Sequence, residues 1–223
     1  MRILVVAPHP DDEILGCGGT LLRRSAEGCT VGWLLITALT ADAGWSDEKI
    51  MSRDHEIEKI RSSLGILPEH LYKLGFPTAQ LDQISSSRII SGISKAFNHF
   101  QPQEVFLPHP GDIHTDHKIT FEAAAACTKW FRYPSIQTVL TYETLSETNF
   151  QLSRENPSFQ PNLFVDITGY LQPKLDLLSI YSSEIGSHPF PRSLDAVKSL
   201  AMLRGTQRAT HFAEAFQILR KFT

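Results

Sequence analysis

Short, unbroken apolar runs alternate along the chain with stretches in which apolar residues recur every three or four positions. Ile3 to Ala7 (ILVVA) is β-branched and continuous, the signature of a strand buried on both faces of a parallel sheet. From Gly16 to Gly28 the spacing turns helical, with Gly28 placed to end the helix, and Thr30 to Thr37 forms a second strand-like run. Strand, helix and strand thus arrive within the length of one βαβ unit, whose crossover is expected to be right-handed. The alternation continues with a helix over Ile50 to Leu64 that stops at Gly65 and a short strand over Leu71 to Phe76. A helix over Ile84 to Phe100 aligns Ile89, Ile90, Ile93, Ala96, Phe97 and Phe100, and a strand is expected over Val105 to Leu107. Beyond these the pattern predicts a helix over Asp116 to Phe131, strands over Ile136 to Tyr142 and Leu163 to Ile167, and helices over Tyr170 to Ser182 and Leu194 to Leu203. Glu147 to Pro161 is polar and proline-punctuated and reads as a surface connection; the prolines of SHPFPR (187–192) forbid a helix there. The C-terminal AEAFQILRKF suits helix and strand equally. Such alternation predicts an α/β sandwich around a mainly parallel sheet.

At 223 residues with 42% hydrophobic content, the chain carries material for one core, so a single domain over 1–223 is expected. A formal charge of -3 leaves no basic surplus for a polyphosphate backbone, which argues against nucleic acid as a partner. Three cysteines, none in a CxxC pair, suit a reducing compartment, and the apolar start is too short for a signal peptide. No run approaches the roughly 20 apolar residues of a membrane span. The expectation is a cytoplasmic protein; nothing in the sequence reads out its oligomeric state, and a homo-oligomer stays open.

Candidate chemistry gathers after two of the predicted strands. APHPDDE (7–13) sets His9 beside Asp11, Asp12 and Glu13, and HPGDIHTDH (109–117) interleaves His109, His114 and His117 with Asp112 and Asp116. Both follow strands and so reach the sheet edge where open α/β folds bind ligands. Adjacent carboxylates repel unless a cation compensates, and imidazole with carboxylate is a donor set suited to zinc. Helix capping alone would also explain an Asp pair, but not two such clusters on one edge. Spacing does not distinguish Asp11 from Asp12, or His114 from His117, as a ligand. Glu13 either points into the sheet and hydrogen-bonds there or accepts the second nitrogen of His9, the latter being preferred. The glycines of GCGG (16–19) lack phosphate-loop spacing and suggest close helix packing.

APHPDDE with GCGGT, followed about a hundred positions later by HPGDIHTDH, resembles the PIG-L/LmbE-like zinc-dependent deacetylases of N-acetylglucosaminyl compounds. SRDHEIEKIRSSLG (52–65) and LRGTQRATHFAEAF (203–216) extend the likeness over nearly the whole chain, with Glu147 to Pro161 outside it. The resemblance implies a Rossmann-like three-layer sandwich and a hydrolase acting on a linear amide bond, which removes acetyl from an N-acetylated amino sugar or sugar conjugate. It implies His9, Asp12 and His117 as metal ligands and Asp11 as general base. His114 would stabilise or protonate the reacting group, positively charged and oriented by Asp116, and Arg53 would contact substrate. Zinc is the implied metal, with ferrous iron or another divalent ion as alternatives. A hydrolase of another amide or ester, or a non-catalytic sugar- or nucleotide-binding module, would use the same fold. His188, Arg192, Arg204, Arg208 and His211 suit the rim of a sugar- or phosphate-bearing substrate, with solvated loop charges the preferred reading for most of them; His55, His70 and His99 read as structural.

Overall fold

The computed structural model describes residues 1–152, 155 and 157–223; Ser153, Arg154 and Asn156, within the predicted connection, lie outside the described residues. β1 (Arg2–Ala7) leads through α1 (Asp12–Ala26) into β2 (Thr30–Ala38) and through α2 (Asp47–Ser63) into β3 (Leu71–Pro77). The chain then crosses by α3 (Ser86–Phe100) to β4 (Glu104–Pro108) and by α4 (Thr115–Ala126) to β5 (Thr138–Tyr142). β6 (Leu163–Asp166), α5 (Leu171–Leu178), α6 (Leu194–Thr206) and β7 (Ala213–Lys221) complete it. The sheet order is β3-β2-β1-β4-β5-β7-β6. Strands β3 to β5 pair in parallel, and β7 runs antiparallel to both β5 and β6.

Alternation along β1 explains its unbroken apolar character. Ile3, Val5 and Ala7 enter a core shared with α1, α2, α5 and α6, while Leu4 and Val6 enter one shared with α3 and α4. Helices therefore cover both faces, and Ile3 to Ala7 are all buried, as a central parallel strand requires. The order reverses between β1 and β4, and the loops after these two strands open on the same edge. Such a switch point is where open α/β sheets place ligands.

The undecided C-terminal segment is strand β7, because it fills the slot between β5 and β6. Its Glu214 is buried, accepts the backbone N–H of Gly19 and Thr20 at 2.9 and 2.7 Å, and pairs at 2.6 Å with buried Lys174 of α5. Helix α4 ends at Ala126, five residues before the expected Phe131. There the Thr128 hydroxyl and N–H both donate to the Ala125 carbonyl, a side-chain competition that tightens and closes the helix.

The glycines of α1 serve close packing, as expected. A Cβ on Gly16 would stand 2.3 Å from Cδ2 of Tyr142, a fully buried ring whose hydroxyl donates to the Val6 carbonyl at 2.9 Å. Gly16→Ala should cost about 1–3 kcal/mol through overpacking. Thermal unfolding would register this as a fall of roughly 2–4 °C per kcal/mol. An unchanged melting temperature would show that Tyr142 can give way.

Candidate metal and catalytic site

The turn after β1 is fixed by hydrogen bonds to its own carbonyls. Thr37 of β2 donates its Oγ1 to the Pro8 carbonyl at 2.8 Å, and Arg53 of α2 donates Nη1 to the Pro10 carbonyl at 3.3 Å. Asp11 occupies the N-cap position of α1 with φ of 135°, yet its side chain makes no capping bond. A non-glycine residue at that φ stores strain, of order 1–3 kcal/mol. Here the strain accompanies a carboxylate turned toward the cavity rather than the helix.

His9, Asp12 and His117 converge. Asp12 Oδ2 lies 3.4 Å from His9 Nδ1 and 3.3 Å from His117 Nε2, and one donor atom from each residue fits within a 4.8 Å cluster. The far nitrogen of each ring is backed by a carboxylate: His9 Nε2 meets Asp116 Oδ2 at 3.0 Å, and His117 Nδ1 meets Asp112 Oδ2 at 2.8 Å. Thr148 in turn donates to Asp112 Oδ1 at 2.6 Å. Carboxylates behind metal-facing imidazoles are the usual support of such sites. A second grouping, His9 with His114 and Asp116, shares His9 and offers another donor set.

Burial pushes Asp12 upward, but the charges and hydrogen bonds of His117 and His9 hold it far below the usual carboxylate range. Burial lowers His9, yet Asp116 and Asp12 lift it to about 9; His117 is likewise raised by Asp12 and Asp112 against its own burial. The buried carboxylates thus draw positive charge onto the two imidazoles at the point where a divalent cation would supply it. That donor chemistry fits a divalent metal held by His9 Nδ1, Asp12 and His117 Nε2. Asp11 is pushed up to about 8 by burial and by Asp12, with Arg192 opposing.

His114 lines the cavity beside them. Burial and the neighbouring His9 and His117 lower it to about 4, toward the neutral ring rather than the charged one the resemblance implies. Its Nδ1 accepts the Asp116 N–H at 3.1 Å, so the ring proton sits on Nε2. Asp116 orients His114 through its backbone N–H. The carboxylate serves His9 and accepts the N–H groups of Ala79 and Leu81 at 2.7 and 3.2 Å. Glu13 does not back His9. It accepts the Asp11 N–H at 3.1 Å and the Tyr181 hydroxyl at 2.9 Å, and burial raises it to about 8.

The cavity, about 220 Å³, is walled by these groups and by Arg53, Glu184 and Arg192, with Trp45 and Glu147 beside them. Arg53 is buried, pairing with Glu56 at 3.2 Å and with Glu184. Glu184, Glu147 and Trp45 carry no motif in the sequence, and Arg192, which the sequence presents mainly as a solvated loop charge, stands at the cavity wall. His109 turns away, its Nε2 against the Pro157 carbonyl at 2.9 Å. Arg204 makes a two-point pair with Glu143 at 2.8 and 2.7 Å, and His188 and His211 are exposed outside the cavity.

Residues 4–128 match the family model PIG-L, described as GlcNAc-PI de-N-acetylase. The diacetylchitobiose deacetylase of Thermococcus kodakarensis is 23% identical over 98% of this chain and 83% of its own. A probable N-acetyl-α-D-glucosaminyl L-malate deacetylase 2 of Bacillus anthracis is 22% identical over 83% and 82%. The crystal structure of N,N'-diacetylchitobiose deacetylase from Pyrococcus horikoshii superposes with a TM-score of 0.79 at 23% identity, covering 98% of this chain and 84% of that one, a likeness of fold.

Proposed function

The chain belongs to the PIG-L family, and from that premise we propose that it is a metal-dependent N-deacetylase of N-acetylglucosamine-type sugars or sugar conjugates, releasing acetate and a free amine. The observation that carries this reading is the His9–Asp12–His117 cluster with Asp11 outside it on the cavity wall, held only at 3.4 Å by Arg192. The relatives named as deacetylases of acetylated sugars support the substrate class. Zinc is the preferred metal on the donor set of two imidazoles and a carboxylate. The strand order β3-β2-β1-β4-β5 with helices on both faces supports the Rossmann-like three-layer description, and a sheet running from Arg2 to Lys221 supports one domain over 1–223. No helix among the described residues is long and apolar enough to cross a membrane. The unpaired Cys17, Cys29 and Cys127 support placement in the cytoplasm.

His9, Asp12 and His117 would hold the metal, and Asp112 and Asp116 keep the two rings in the tautomers that present Nε2 of His117 and Nδ1 of His9. Bound there, a divalent metal supplies Lewis acidity toward water and the acetyl carbonyl. Asp11, whose carboxylate lines the cavity beside Asp12, takes the proton of the attacking water. His114 donates its Nε2–H to the carbonyl oxygen as negative charge builds there, its neutral ring needing no prior protonation. When the C–N bond breaks, Asp11 returns its proton to the leaving nitrogen, so that the amine departs neutral.

Acetate release from N-acetylglucosamine and its glycosides should stop on treatment with a strong chelator and return on adding zinc. Acetate release that continues undiminished in a metal-free preparation would overturn the metal dependence, and no release from any member of that class would overturn the substrate reading.

A further inference from the structure

Two guanidinium groups line the cavity, and their surroundings differ. Arg53, with a side chain 6% exposed, has every nitrogen engaged: Nη1 on the Pro10 carbonyl at 3.3 Å, Nη2 on Ser183 Oγ at 3.0 Å and on Glu184, and Nε against Glu56 at 3.2 Å. Its plane also lies over the Tyr181 ring, 5.3 Å from the centroid. Arg53 therefore braces the turn after β1 and the segment after α5. It has little left to offer a ligand.

Arg192 is one-quarter exposed and under-committed. Among the described residues its single hydrogen bond, Nη1 to Asp11 Oδ2, is long at 3.4 Å; Nη2 stands 3.7 Å from Glu184 Oε2, beyond hydrogen-bond range, and Nε has no hydrogen-bond partner. An arginine presents five donors in a fixed fork, so most of this fork is unspent. Glu184, 28% exposed, stands beside it as an acceptor that Arg53 already holds in place. Donor and acceptor side by side match a sugar hydroxyl, which both accepts and donates.

We propose that Arg192, paired with Glu184, binds the hydroxyl groups of the acetylated sugar ring and sets its acetamido group against Asp11. The assignment rests on the deacetylase reading above and adds Arg192 to the groups that meet the substrate. Arg192 reads specificity, and Arg53 positions Glu184.

The test crosses enzyme variants with substrate analogues: the parent protein, Arg192→Gln and Arg192→Lys, each with N-acetylglucosamine and its 3-, 4- and 6-deoxy analogues. Arg192→Gln should lose about 10- to 100-fold in kcat/KM on the parent sugar, mostly in KM, with Arg192→Lys regaining part of it. On one of the deoxy analogues the difference between the parent protein and Arg192→Gln should shrink to about threefold or less, because the partner hydroxyl is already gone. Equal rates for Arg192→Gln and the parent protein, or the same loss on every analogue, would overturn the assignment. Should the parent protein release no acetate, the deacetylase reading fails by itself. Calorimetric binding of N-acetylglucosamine then decides for Arg192 if Arg192→Gln weakens it, and against if binding is unchanged or absent in both proteins.

Discussion

Asp11→Asn should retain stoichiometric metal while losing about 10²- to 10⁴-fold in turnover, the range expected for removal of a general base. Asparagine keeps the size of the side chain and the contact with Arg192 but cannot accept water's proton. The strained backbone at Asp11 and the hydrogen bond from its N–H to Glu13 do not depend on the carboxylate, so the variant should fold. Turnover near that of the parent protein would remove Asp11 from the role of base. Loss of metal together with activity would show instead that Asp11 is a ligand.

The second large effect concerns the metal itself. His117→Ala should reduce bound zinc far below one per chain and activity with it, since it deletes one of three donors and leaves Asp112 buried without its imidazole. His114→Ala provides the contrast. It should keep the metal and lose about 10²- to 10³-fold in turnover, as expected for one lost donor to a developing oxyanion. Metal analysis after desalting, combined with acetate release, separates the two variants. Full metal content in His117→Ala, or metal loss in His114→Ala, would exchange their roles.

Much of the fold was legible because strands buried on both faces have to be apolar throughout. The runs at Ile3–Ala7 and Thr30–Thr37 could hardly be anything else once helical spacing lay between them. The C-terminal strand was not legible, because AEAF carries its inward charge, Glu214, where a helix could equally have placed it. The distant Lys174 and the backbone N–H groups of Gly19 and Thr20 fix that carboxylate's position. The two His/Asp clusters were visible because each directly follows a strand, and the reversal of strand order between β1 and β4 brings those strand ends together.

The supporting contacts were harder to foresee. Nothing in the spacing of HPGDIHTDH tells that Asp116 turns its carboxylate to His9 and only its main chain to His114. That division follows from helix α4 starting at Thr115, which leaves His114 as its N-cap. Glu13 was assigned to His9 on a general habit of metal-bound imidazoles, but one residue into α1 its side chain turns back toward the Asp11 N–H and Tyr181. Glu184 and Arg192 flank a proline-rich turn with no motif of their own, and they reach the cavity only because α5 and α6 pack on the same face of the sheet as α1.

The central claim is that the ends of β1 and β4 grip one divalent ion through His9, Asp12 and His117. A crystal of the zinc-loaded protein, measured on both sides of the zinc absorption edge, tests it directly. The account predicts one anomalous peak, roughly 2.0–2.2 Å from His9 Nδ1, a carboxylate oxygen of Asp12 and His117 Nε2. A peak bound by His9, His114 and Asp116 instead, or none near the cavity, would contradict it.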